Sequence, residues 1–133
     1  MNGRPEALIV EDEVITAMAV ASMLKKLGYA VQGFVASGEE ALERVAKKPP
    51  DVLIMDVRLD GPLDGVETVR RIRERLAGVR VVYITAFSDV QARARMEQTL
   101  PEAVLLKPVE MWMLAKVLGV ERGERFASVS DEG

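Results

Sequence analysis

Val52-Leu53-Ile54-Met55-Asp56 is a run of four apolar residues that ends in an acid. An apolar run without polar alternation is expected of a strand covered on both faces, as in a parallel sheet whose crossover helices lie on either side. The form recurs along the chain. Ala7-Leu8-Ile9-Val10 leads into Glu11-Asp12-Glu13, Val79 to Thr85 is rich in β-branched and aromatic residues, and Ala103-Val104-Leu105-Leu106 leads into Lys107-Pro108. A fifth run spans Ala30 to Val35. Between the runs lie segments of helical period. Val14 to Leu27 places Val14, Met18, Ala21 and Leu24 on an expected buried face, with Gly28 as the stop. Ser37 precedes a helix over Gly38 to Lys48 carrying Ala41, Leu42 and Val45, which Pro49-Pro50 ends. Gly65 to Leu76 carries Val66, Val69, Ile72 and Leu76. Ser88-Asp89 opens a helix that reaches Thr99, and a last helix with Met111, Leu114, Val117 and Leu118 finishes near Gly119. Five strand–helix pairs predict an α/β fold around a parallel sheet.

Composition narrows the chemistry. The chain has 133 residues, 49% of them hydrophobic, enough for one continuous core and no second folded domain. We expect a domain over 6–119, a polar tail over 120–133 and no output domain. Charged residues make up 29% with both signs interspersed, and the net charge of -3 leaves no electrostatic footprint for nucleic acid or an anionic membrane. The apolar runs are too short to span a bilayer and the start lacks a signal-peptide pattern, so a cytoplasmic location is expected. With neither cysteine nor histidine in the chain, thiolate and imidazole chemistry are excluded, and any metal must sit on oxygen.

In an open parallel sheet, ligands bind outside the carboxyl ends of the strands. Here those ends deliver Glu11 and Asp12, Asp56, Thr85 and Lys107. A lone acid after a strand is commonplace, and each position by itself reads as a solvated loop residue or a cap; the coincidence of four such ends does not. Neighbouring carboxylates repel by roughly 1 kcal/mol per pair in water and about 4 kcal/mol at an effective dielectric near 20 for a 4 Å separation. A cation must offset this; the candidates are Lys107 and a hard divalent ion, and an open carboxylate cluster suits Mg²⁺ better than a Ca²⁺ cage. The expected chemistry is attack by the Asp56 carboxylate on a phosphoryl donor, with Thr85 and Lys107 stabilising charge on the transferring group.

The strings Leu8-Ile9-Val10-Glu11-Asp12-Glu13, Leu53-Ile54-Met55-Asp56, Tyr83-Ile84-Thr85-Ala86 and Leu106-Lys107-Pro108 resemble the four signature regions of response regulator receiver domains of two-component signalling. The resemblance runs from about residue 7 to 119. It implies a single (βα)5 doubly wound, flavodoxin-like domain with strand order 2-1-3-4-5. It implies Asp56 as phosphoacceptor, Thr85 as the switch hydroxyl and Lys107 as the phosphate-pairing lysine. It also implies a Mg²⁺ site made by Glu11, Asp12, Asp56 and the Arg58 main-chain carbonyl, and a cis Lys107-Pro108 bond. The implied partners are a sensor histidine kinase or histidine phosphotransfer protein and an output partner. A homodimer through the face of helix four, strand five and helix five is a further association the family offers.

The chain departs from the family at four points. Glu11 stands where aspartate is commoner. The Asp56–Gly65 loop is one residue longer than usual. Val104 replaces the aromatic three positions before the lysine. Arg58 and Phe87 occupy positions that tune dephosphorylation, and as large side chains they predict a long-lived phosphorylated state. Two other readings compete with the switch. A receiver-like module that works without phosphorylation fits Val104 and the altered loop, but not retention of the whole acid–Thr–Lys set. A haloacid-dehalogenase-like phosphohydrolase would need a second acid where Arg58 stands, so the chain reads as a signalling switch rather than a turnover enzyme. The run Arg70, Arg71, Arg73 and Arg75, interleaved with Glu67 and Glu74, reads as a solvated helix face.

Overall fold

The structure, a computed structural model, describes residues 3–59, 61–86 and 90–119. The expected Ser88-Asp89 cap, Phe87 and the polar tail lie outside the described residues. The elements alternate throughout: β1 (Glu6–Val10), α1 (Val14–Lys26), β2 (Ala30–Val35), α2 (Gly38–Lys47), β3 (Val52–Asp56), α3 (Gly65–Arg73), β4 (Arg80–Thr85), α4 (Val90–Glu97), β5 (Ala103–Leu106) and α5 (Met111–Leu118). All four strand pairings are parallel and the order is β2-β1-β3-β4-β5, as the resemblance implied.

The middle of the sheet is covered on both faces, which explains the unbroken apolar runs of β1, β3 and β4, while the edge strands β2 and β5 stay partly exposed. Successive residues of β1 and β3 alternate between two cores: Ala7, Ile9, Val52 and Ile54 meet α1 and α5, while Leu8, Val10, Leu53 and Met55 meet α2 and α3. Helix ends follow local chemistry. Ser37 Oγ accepts the Glu40 N–H at 3.1 Å and Glu40 Oε1 accepts the Ala36 N–H at 2.8 Å, so serine and glutamate cap the start of α2 together. Gly28 takes φ +98°, the left-handed turn that lets the chain leave α1.

Two helix faces differ from expectation. In α1 the core takes Ala17, Val20 and Leu24, while Val14 and Met18 are 56% and 59% exposed. The helix is apolar almost all round, so its period does not select a face. Close approach to the sheet favours the stripe of smaller side chains. In α5 Leu114 and Leu118 are buried, but Met111 faces outward beside an exposed Trp112.

Arg73 is also not a solvated side chain. Its guanidinium donates to the carbonyls of Ala77, Val79, Thr99 and Leu100 at 2.7–3.1 Å, tying the end of α3 to the turn after α4.

Candidate active site at the carboxyl rim of the sheet

The register explains how residues far apart in sequence meet. Val10 pairs with Met55, Asp56 with Ile84 and Thr85 with Leu106, so β1, β3, β4 and β5 end nearly level. The residues at or just past those ends are Glu11, Asp12, Asp56, Thr85 and Lys107. Carboxylate oxygens of Glu11, Asp12 and Asp56 lie within 4.8 Å of one another. Glu11, Asp56 and Thr85 are buried, and Asp12 is half-buried.

Lys107 answers this charge from β5. Its Nζ lies 2.9 Å from Glu11 Oε1 and 3.3 Å from Asp56 Oδ2. The Lys107 N–H donates to the Thr85 carbonyl at 2.8 Å, which fixes the lysine's backbone against β4. The bond from Lys107 to Pro108 is cis, as the resemblance implied.

Burial and the neighbouring Glu11 charge raise Asp56 to about 7, against the opposing pull of Lys107. Burial works against the Lys107 ammonium, but its ion pairs with Glu11 and Asp56 prevail and hold its pKa above the ordinary lysine value. One ammonium thus faces more negative charge than it neutralises. Among the described residues, buried Glu11 Oε1 receives no hydrogen bond and has the lysine ammonium beside it as its ion-pair partner. A hard divalent cation fits three such oxygen donors and would relieve that imbalance.

The turn after β3 is held close to the acceptor. The Arg58 N–H donates to Asp56 Oδ1 at 3.2 Å, and the Gly65 N–H donates to the Val57 carbonyl at 2.8 Å. Gly65 sits so close beneath Asp56 that a Cβ there would overlap the Asp56 carbonyl oxygen. Asp64, just before it, accepts the Glu67 N–H and caps α3. Arg58 exposes its side chain on this turn.

Residues 7–118 match the response regulator receiver domain family. The chain belongs to that family. It is 36% identical over 128 residues to the transcriptional regulatory protein PdtaR of Mycobacterium tuberculosis, an alignment covering 94% of this chain and 61% of that protein. It is 34% identical over 113 residues to the positive alginate biosynthesis regulatory protein of Pseudomonas aeruginosa, covering 84% of this chain and 44% of the relative. This receiver domain therefore spans only part of such relatives. Among solved structures it resembles the receiver domain of a modulated diguanylate cyclase from Desulfovibrio desulfuricans G20, with TM-score 0.80 and 35% identity over 86% of this chain and 90% of that one. It also resembles the chemotaxis protein CheY4 of Vibrio cholerae, with TM-score 0.79 and 25% identity over 87% of this chain and 97% of that one. The chain is thus a signalling domain of two-component systems, and no helix among its described residues is long and apolar enough to cross a membrane.

The five side chains named from sequence converge on one rim. The sequence reading missed Arg95, which reaches from α4 to grip Asp64 at 3.0 and 3.4 Å across 31 residues of chain. No local pattern marks that pairing.

Proposed function

We propose that this receiver accepts a phosphoryl group on Asp56 in a Mg²⁺-assisted transfer from a phosphohistidine partner, and that the modified state changes what the domain binds. The observation that carries this reading is Lys107 Nζ lying 3.3 Å from the Asp56 carboxylate, inside a cluster otherwise made of acids. The Asp56 carboxylate oxygen attacks phosphorus, a P–O bond forms, the P–N bond of the donor breaks, and the departing imidazole keeps the electron pair and takes up a proton. Lys107 moves from pairing a carboxylate to pairing a phosphoryl oxygen, and the Thr85 hydroxyl donates to another. Attack by water on the acyl phosphate later releases inorganic phosphate and restores Asp56.

Glu11, Asp12, Asp56 and the Arg58 carbonyl would hold the ion. When bound it shields the negative charge that an incoming phosphoryl group must approach. Because these 133 residues contain no histidine, the phosphohistidine donor lies outside this domain, on a sensor kinase or a phosphotransfer protein. The exposed Val14, Ile15 and Met18 begin just past Asp12 on α1 and offer a protein donor apolar surface beside the acceptor.

The receiver unit is taken as 6–119. Leu106, Met111 and Trp112 are exposed on the β5–α5 side and supply the apolar surface for an output partner or a second copy. The test is incubation with Mg²⁺ and acetyl phosphate followed by intact mass. An adduct of one phosphoryl group is expected, absent in Asp56→Asn; its absence from the unmodified chain would favour a receiver-like module that works without phosphorylation.

A further inference from the structure

How a change at Asp56 reaches α4 is not settled by β5, whose residues are Ala103-Val104-Leu105-Leu106 and include no aromatic ring that could swing. The neighbouring core position is occupied by Tyr83, the register partner of Val104. Tyr83 is fully buried, and its hydroxyl is bonded to Thr99 Oγ1 at 2.8 Å. That ring is anchored rather than free to turn.

Besides the packing of Met96 on the core, the side-chain hydrogen bonds and ion pairs that tie α4 to another helix among the described residues run along its flank with α3. At its carboxyl end, Arg73 holds the carbonyls of Thr99 and Leu100, and Arg70 reaches Gln98 at 3.3 Å. Nearer the middle, Arg95 makes a two-pronged ion pair with Asp64. Asp64 directly precedes Gly65, which rests against the Asp56 carbonyl and bonds to Val57. Among the described residues, this is the ion pair that joins α4 to the loop following the acceptor.

We propose that Arg95 is a positioning residue that transmits the state of Asp56 to α4 through Asp64, an inference that rests on Asp56 being the phosphoacceptor. The path is short. A phosphoryl group on Asp56 alters the bonds of the 56–58 turn, the turn carries Gly65 and Asp64, and the paired carboxylate oxygens of Asp64 draw the guanidinium with them. Both partners are partly exposed, at 42% and 38%, so the pair contributes little to the stability of the fold and can be broken without unfolding it. The coupling is reciprocal: a partner that holds α4 in its shifted position must favour the phosphorylated state by the same factor.

The test compares the full chain with Arg95→Gln, Arg95→Lys and Asp64→Asn; asparagine keeps a side chain able to cap α3. Each protein is treated with Mg²⁺ and acetyl phosphate, the Asp56 adduct is read by intact mass, and amide hydrogen exchange of 91–97 is measured before and after. The unmodified chain is expected to form the adduct and to change its exchange in α4. Arg95→Gln and Asp64→Asn should form the adduct while the phosphorylation-dependent change in α4 falls about fivefold or more, and Arg95→Lys should recover part of it. A purely structural role would alter α4 exchange equally in both states and leave the difference between them intact. Adduct formation with an undiminished α4 response in Arg95→Gln overturns the coupling while leaving the phosphoacceptor reading standing. Absence of any adduct on the unmodified chain overturns both.

Discussion

Lys107 carries the heaviest electrostatic duty of any single side chain at the rim. Its ammonium is the cation between Glu11 and Asp56, and on the proposed reaction it becomes the partner of the transferred group. Lys107→Ala is expected to slow acetyl phosphate-dependent labelling of Asp56 by about 10²-fold, in the range for loss of one donor that stabilises a transition state. A time course by intact mass checks this, and labelling at an unchanged rate would remove Lys107 from the mechanism. Asp64 shows a different balance. Burial acts to raise its pKa, but the Glu67 N–H and the Arg95 guanidinium outweigh burial and hold the carboxyl below the ordinary aspartate value. A carboxyl depressed in the folded state contributes stability above its unfolded pKa of about 3.9 and loses it as pH falls through the folded value. The unmodified chain should therefore lose more stability than Asp64→Asn as pH falls through and below the unfolded aspartate value, as followed by urea denaturation. Equal losses would mean that the Asp64 charge, through cap and ion pair together, contributes nothing to stability.

At the scale of elements, strands were more legible in the sequence than helix faces. The central strands β1, β3 and β4 sit between two layers of helices, so their apolar runs read as buried strands and the polar residue that ends each lies on the rim, whereas the edge strands β2 and β5 are only partly buried. Helix α1 gave no such constraint. Val14, Met18, Ala21 and Leu24 form one possible stripe and Ala17, Val20 and Leu24 another; packing against the sheet selects the second. Leu24→Ala is expected to cost about 2–5 kcal/mol of unfolding free energy, whereas Met18→Ala should stay within about 0.5 kcal/mol. Comparable losses at both positions would contradict the observed face. Arg73 was misread because its partners are carbonyls, two of them 26 and 27 residues away, and no charge pattern announces an acceptor on the backbone. Arg73→Met leaves those carbonyls without their donor and should destabilise the fold by about 1–3 kcal/mol in chemical denaturation. No measurable loss would return it to the solvated face first assigned to it.

For the whole molecule, parallel order 2-1-3-4-5 gathers short local motifs into one cluster at the rim of the sheet. Register brings the ends of β1, β3, β4 and β5 level, and Glu11, Asp12, Asp56, Thr85 and Lys107 need no insertion or second domain to meet. That convergence could be read in advance because the rule for open sheets concerns strand ends, which the sequence marks clearly. The α3–α4 flank could not be read in the same way. Its ties join side chains on different helices, and whether Arg95 meets Asp64 depends on the packing of helices rather than on any repeat. Function on this account is shared between the two regions: the rim takes up charge, and the flank carries the consequence to a surface. The most direct trial of the central claim is a Mg²⁺ and acetyl phosphate reaction resolved by peptide mapping. A single base-labile phosphoryl group is expected on the peptide containing Asp56, dependent on Mg²⁺ and lost in Asp56→Asn. A phosphoryl group that forms equally well without the ion, or that persists in Asp56→Asn, would contradict it.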